Sequence, residues 1–261
     1  MPGHSIYHAM LASPLGDVVL SATETHLTGL YFTDQKDCPS VPGRQAPRPD
    51  SLDPTSGSSH GQALRRFKVG QPQPLSAQLP GLEPESGGVM DGGVHSVIGT
   101  ATGAASVVGR PPANSAGPAA GWSAKPRYLQ AQTPAAAQAI FSRVQSELRD
   151  YFSGVLMTFD TPLALVGTAF QKRVWQALLA IPHGKVVSYA DVARAAGLTA
   201  GHGRAVGTAV GRNPISIIVP CHRVLSASHT LAGYTGGLER KLALLRLEGH
   251  AIRPADAKAQ T

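Results

Sequence analysis

The chain has 261 residues, 42% of them hydrophobic, with 23 Lys and Arg against 16 Asp and Glu, so it is long enough and apolar enough for a packed core and cannot be wholly disordered. Its two cysteines, Cys38 and Cys221, can build neither a disulfide framework nor a zinc finger, which makes a reduced, cytoplasmic setting the expectation. No apolar run approaches the roughly 18 residues of a membrane span, and the opening MPGHSIYHAM lacks the pattern of a secretion signal, so no membrane contact is expected.

Short β-rich runs occupy 7–12, 18–23 and 27–32. The turn-former Pro14-Leu15-Gly16-Asp17 and the polar residues 23–26 separate them, which is the pattern of an antiparallel meander. Residues 39–127 then hold 13 Pro and 14 Gly in 89 positions, the composition of low-complexity sequence. Val94, Val97, Ile98, Val107 and Val108 keep no sustained period there. The stretch is expected to be a disordered insertion, and the remaining 172 residues suit two small domains. Beyond it, Thr133 before Pro134 reads as an N-cap before a first-turn proline. Ile140, Val144, Leu148, Tyr151 and Phe152 recur at helical spacing, and Gly154 can end that helix.

Residues 165–261 carry a net charge of +8, while everything before them nets −1. A compact basic domain attracts phosphate backbones by releasing their counterions, although a merely solvated basic surface has the same charge. Thr168 with Gln171 forms a capping-box pattern ahead of a helix whose Phe170, Val174, Trp175, Leu178 and Leu179 share a face. Ser188 with Asp191 repeats the pattern at the start of a second, short helix that turns Val192 inward and breaks at residues 197–201. A third helix, from His202 to about Arg212, completes a helix-turn-helix order. Its Ala205, Gly207, Thr208, Ala209 and Gly211 are small, and its Arg204 and Arg212 are basic. Small side chains permit close approach, either to the minor groove of DNA or to a packed neighbouring helix, and the composition fits both.

The chemistry is expected at residues 217–224, IIVPCHRV. The β-branched run reads as a buried strand that delivers Cys221 to its end beside His222. A thiol becomes a strong nucleophile when a base removes its proton, but neighbours on a strand point to opposite faces. His222 could therefore serve Cys221 only where the backbone turns or a water bridges them; an inert buried cysteine beside a histidine is the other reading.

The segments GTAFQKRVWQALLAIPHGKVVSYADVA, GRAVGTAVGRNPISIIVPCHRV and GYTGGLERKLALLRLEGH resemble the O6-alkylguanine-DNA alkyltransferases, the methylated-DNA–protein-cysteine methyltransferases. SPLGDVVL and LTGLYFTDQK are similar to that family's N-terminal domain. The resemblance implies an α+β fold: an N-terminal domain of 1–38 and 128–162, with a small antiparallel sheet and a helix, and a mostly helical C-terminal domain of 163–261 with a helix-turn-helix.

It also implies irreversible, single-turnover transfer of a methyl or other alkyl group from O6-alkylguanine, with O4-alkylthymine a further candidate, to the protein's own cysteine. Cys221 would be nucleophile and acceptor. His222 would act as base through a water, Glu248 would orient and stabilise the imidazolium, and Tyr189 would donate to guanine N3. Arg204 would fill the space of a flipped nucleotide in duplex DNA bound through the minor groove, and Asn213 would tie the active-site turn to the preceding helix. Val224 would contribute backbone contacts to the flipped base, and Tyr234 and Thr235 would line its pocket, Thr235 through its backbone N–H. The implied partner is double-stranded DNA carrying O6-alkylguanine, with no metal, organic cofactor or membrane, and the protein would act as a monomer. Cys38 matches no motif residue.

Overall fold

The computed structural model describes residues 5–41, 67–72 and 125–254. The expected meander forms as β1 (Tyr7–Leu11), β2 (Val18–Ala22) and β3 (Leu27–Phe32), with Ala9 opposite Leu20 and Leu20 opposite Leu30.

The stretch read as a disordered insertion contributes structure at 67–72 and 127, which corrects that expectation for those positions. It supplies β4 (Phe67–Pro72), and β5 (Arg127–Tyr128) lies at its far end. β5 adds antiparallel to β1, giving the sheet order β3-β2-β1-β5. Neither strand was legible, because β5 is two residues long and shows no period, and β4 lies in sequence of low-complexity composition. Residues 42–66 and 73–124 of the stretch lie outside the described residues.

α1 (Ala135–Phe152) packs on β1 and β2 through the face carrying Ala137, Phe141, Val144, Leu148 and Tyr151, all buried. Each large apolar side chain buried this way contributes about 1.5–3 kcal/mol relative to exposure. The cap lies one residue later than expected. Pro134 occupies it without a side-chain hydrogen bond, and the Thr133 hydroxyl instead donates to the Gln130 carbonyl at 3.2 Å.

The outer edge of β3 is covered by backbone from the other half of the chain. Leu27 N–H donates to Pro162 O at 2.8 Å and Ala164 N–H to Leu27 O at 2.9 Å. Further along, Leu30 N–H donates to Pro214 O at 2.9 Å, and Ser216 N–H donates to Leu30 O at 2.9 Å. The sheet thus templates the backbone around residues 214–216.

α2 (Ala169–Leu179) starts at the expected capping box, with Gln171 N–H on Thr168 Oγ1 at 3.2 Å and Thr168 N–H on Gln171 Oε1 at 2.9 Å. Val174, Trp175 and Leu178 are buried, whereas Leu179 is 42% exposed. One residue is 100° of helix, enough to carry Leu179 off the face of Leu178. β6 (Val187–Ser188) leads into α3 (Tyr189–Ala195), capped reciprocally by Ser188 and Asp191 as expected. After the 3₁₀ turn Ala200–His202 comes α4 (Gly203–Gly211), whose Val206, Ala209 and Val210 face inward. Trp175 Nε1 donates to Ala209 O at 2.8 Å, so α2 is the scaffold on which α4 rests.

β7 (Val224–Leu225) pairs parallel to β6, and α5 (Leu238–Leu247) is followed by β8 (His250–Pro254), which pairs antiparallel with β4. The fold is α+β, a small antiparallel sheet with its helix followed by a mostly helical half. Among the described residues, no helix is long and apolar enough to cross a membrane.

Candidate active site

The segment expected as a strand, residues 217–219, is a tight turn. Ile218 N–H donates to Ser216 O at 2.8 Å and Val219 N–H to Ile215 O at 3.0 Å, and Ile217 stands at φ +70°. A β-branched residue in that left-handed region costs about 1–3 kcal/mol, so the surroundings must impose it. Asn213 does so from inside the turn. Its Oδ1 accepts from Ile215 N–H at 3.0 Å, and its Nδ2 donates to Val219 O at 2.7 Å and to Cys221 Sγ at 3.0 Å. Ile215, Ile217, Ile218 and Val219 are buried as expected, but their backbone bonds are local rather than laddered. Burial was the readable half of that signal, and extension was not.

The turn ends in a single 3₁₀ turn, Cys221–Arg223, which keeps these neighbours from alternating as they would on a strand. Cys221 is 7% exposed. Burial pushes its thiol pKa up, while the Asn213 hydrogen bond, the charge of Lys241 and the backbone N–H groups of Cys221 and His222 pull it down, with a net rise.

His222 is wholly buried. Its Nε2 lies 2.9 Å from Glu248 Oε1, and its Nδ1 has no protein hydrogen-bond partner. Glu248 sits at the C-terminal end of α5 and gathers donors from four residues at three places in the chain. Besides His222 these are Arg223, with Nε on Oε2 and Nη2 on Oε1, both at 2.9 Å; Tyr151 of α1, whose hydroxyl donates to Oε1 at 2.8 Å; and Gly184 N–H, at 3.2 Å from Oε2. Burial alone would raise this carboxyl, but the hydrogen bond and charge of His222, followed by those of Arg223, hold it well below the usual carboxylate range.

An ionised Glu248 accepts only, which assigns the hydrogen to His222 Nε2 and leaves Nδ1 as the acceptor. Burial lowers the imidazole pKa against the upward pull of Glu248, so the ring is neutral near pH 7 and able to take a proton.

Arg223, Tyr151 and Lys241 did not stand out in the sequence as site residues. Lys241 of α5 is fully buried and donates to the carbonyls of Val224 and Ala232. Desolvation lowers its pKa to about 8, and the negative charge available at Cys221 works against that drop. A signal was present, since Lys241 interrupts the buried stripe of Leu238, Leu242 and Leu245. Arg223 showed only as a neighbour of Cys221, and Tyr151 read as ordinary helix core.

Tyr189 and Arg204 meet in a groove of about 640 Å³, lined also by Gly207 and Ala227. Cys221 is not among its lining residues. Arg204, Ala205 and Thr208 of α4 are exposed, so the helix presents small and basic side chains outward. A Cβ on Gly207 would stand 3.9 Å from the Tyr189 ring, an ordinary contact. Tyr234 is buried close enough to Cys221 for its hydroxyl to feel the thiolate charge, and burial raises its pKa well above the usual phenol value. The Thr235 hydroxyl donates to Gly211 O, and the Val224 carbonyl accepts from Lys241. A Cβ on Gly236 would come within 2.9 Å of the Phe32 ring, so the loop before α5 approaches β3 at a distance that glycine alone tolerates.

A buried cysteine, a neutral histidine and an ionised carboxylate, joined by a turn that the N-terminal sheet and helix support, form an arrangement that suits a protein using a cysteine nucleophile. The family model "6-O-methylguanine DNA methyltransferase, DNA binding domain" matches residues 169–250. The methylated-DNA–protein-cysteine methyltransferase of Mycobacterium leprae is 55% identical over 112 residues, covering 43% of this chain and 67% of its own length. The Mycobacterium tuberculosis H37Rv protein of the same name is 54% identical over 116 residues, 44% of this chain and 69% of its own. The crystal structure of M. tuberculosis O6-methylguanine methyltransferase aligns over 97% of both chains at 29% identity, with a TM-score of 0.52. That of M. tuberculosis OGT in complex with DNA aligns over 92% of this chain and 91% of its own at 30% identity, with a TM-score of 0.51. The chain belongs to the methylated-DNA–protein-cysteine methyltransferases, which transfer the alkyl group of O6-methylguanine to a cysteine of their own in DNA repair.

Proposed function

We propose that the acceptor is Cys221 and that each molecule reacts once, taking a methyl or other alkyl group from O6-alkylguanine in double-stranded DNA, with O4-alkylthymine a further substrate. The observation that carries this reading is the line Glu248–His222 ending at a free Nδ1, with Asn213 on the adjacent Cys221 sulfur. The thiol proton passes through a water to His222 Nδ1, and Glu248 stabilises the imidazolium that forms. The thiolate then attacks the alkyl carbon in line with the departing oxygen. An S–C bond forms, the C–O6 bond breaks, and its electron pair stays on the guanine, where Tyr189 donates a hydrogen bond to N3. The thioether is not hydrolysed, so the protein is consumed.

A base inside a duplex cannot reach a buried sulfur, so the nucleotide is flipped out of the stack. Helix α4, the second of a helix-turn-helix, enters the minor groove with its small face, and Arg204 fills the vacated space. Asn213 holds the acceptor turn, while Val224, Tyr234 and Thr235 bound the base pocket. Residues 1–38 and 128–162 act as the supporting domain and 163–261 as the DNA-binding and acceptor domain, working as a monomer in the cytoplasm. Exposure to excess duplex carrying labelled O6-methylguanine tests the reading. Transfer should stop at one equivalent of label per protein and vanish in Cys221→Ala; continued release of free label would overturn it.

A further inference from the structure

Ala227, one wall of the groove that holds Tyr189 and Arg204, belongs to a turn at residues 226–230 that follows directly on β7. The turn is closed by bonds among its own residues, with the hydroxyls of Ser226, Ser228 and Thr230 2.6–3.2 Å from one another. Ser226 N–H donates to Thr230 O at 3.2 Å, Thr230 N–H to Ser226 Oγ at 2.9 Å and His229 N–H to Ser226 O at 2.9 Å, with His229 at φ +58°. Such bonds fix the shape of a short exposed turn, but its place relative to the rest of the protein is set by what holds it from outside.

The outside support comes from the inserted stretch. Val69 N–H of β4 donates to His229 O at 3.0 Å, and Val69 itself is 3% exposed, inside the common hydrophobic core. In the β4–β8 ladder Val69 stands opposite Ile252 and Pro72 opposite His250. β8 begins just beyond Glu248, across Gly249 at φ +85°. One residue of the insertion therefore joins the turn that follows Cys221 and His222 to the strand that follows Glu248.

We propose that β4 is a positioning strap for the DNA-facing wall of the active centre. By fixing His229 against β8 it sets where Ala227 stands relative to Tyr189 and Arg204, and with that how readily a flipped nucleotide and its flanking backbone seat in the groove. Val69 acts through the turn and touches no substrate. The inference rests on the reading that this groove receives the nucleotide. It gives the insertion a part in the reaction, with β8 as anchor and the 226–230 turn as the element held.

The test uses the full chain as wild type, Val69→Ala and Val69→Asp, with two probes of Cys221. One is duplex DNA carrying O6-methylguanine; the other is iodoacetamide, which needs no groove. A misplacement of about 1 Å at a positioning contact costs up to about 10²-fold, so Val69→Asp should react with the duplex about tenfold or more slowly and Val69→Ala by a smaller factor. Iodoacetamide should react within about twofold of wild type in both. Unchanged duplex rates, or duplex and iodoacetamide rates falling together, would overturn the strap; where the aspartate variant does not fold, Val69→Ala supplies the comparison, with a smaller fall confined to the duplex rate. A wild-type protein that took no methyl group from the duplex would instead defeat the functional reading on which the strap rests.

Discussion

Arg223 grips Glu248 through both carboxylate oxygens, Nε to Oε2 and Nη2 to Oε1 at 2.9 Å each, while His222 shares Oε1 at the same distance. The carboxylate behind the base is thereby locked in place and in charge. The 3₁₀ turn Cys221–Arg223 brings this about, because three successive residues supply the sulfur, the imidazole and the guanidinium.

Glu248→Gln keeps the shape and removes the charge. Breaking a buried ion pair on one side costs about 3–5 kcal/mol, here because Arg223 is left uncompensated. Thermal unfolding should show that loss, and alkyl transfer should slow by about 10²-fold or more as the base loses its stabiliser. Stability equal to wild type would show that Glu248 is not ionised in the folded protein.

Tyr151→Phe tests the reach of the N-terminal helix into the site. It deletes one hydrogen bond to a charged acceptor, worth about 1.5–3 kcal/mol, without opening a cavity. Denaturant unfolding should reveal a drop of that size and single-turnover kinetics a slower transfer. A rate and a stability both unchanged would reduce the 2.8 Å contact to coincidence.

Acid should destabilise the protein in two windows. His222 and Glu248 both have folded-state pKa values below their ordinary values of 6.5 and 4.5. Below 6.5 the unfolded chain protonates its histidine while the folded one resists, and below 4.5 the same holds for the carboxylate. In each window the unfolded state binds more protons, so stability falls as pH falls. Unfolding temperatures measured from pH 7.5 down to 4 should decline, with a shallower decline above pH 4.5 in His222→Gln. Parallel curves for the two proteins would contradict the buried neutral imidazole.

Lys241→Met removes a cation buried close to Cys221. Its folded pKa of about 8 lies below the usual 10.5, so between those values the unfolded chain holds the extra proton and wild-type stability gains with rising pH. The shift corresponds to about 3 kcal/mol, and the methionine variant should lack that gain. The lysine charge also favours the thiolate, so the pH profile of iodoacetamide reaction at Cys221 should move to higher pH in the variant. An unmoved profile would separate Lys241 from the sulfur.

The elements with strong local signals were readable: the three-strand meander, both capping boxes and the inward face of α1. The acceptor turn was misread as a strand because Ile217, Ile218 and Val219 carry strand-like composition. Their conformation is set by the Asn213 side chain and by the distant Leu30 edge, which no local sequence window contains. Cys221, His222 and Glu248 could be named through the resemblance. Tyr151 and Arg223 could not, since a helix-face tyrosine and a surface-like arginine acquire a role only when the fold brings them to one carboxylate. β4 was hidden for a similar reason, as Val69 finds its partners at Ile252 and His229 across the whole length of the protein.

The most direct test of the central claim locates the transferred group. After reaction with duplex bearing one O6-methylguanine, peptide mapping by mass spectrometry should find a single methyl on the sulfur of Cys221, with Cys38 unmodified and the amount equal to the protein present. Methyl groups on Cys38, or repaired duplex with Cys221 still a free thiol, would contradict the assignment.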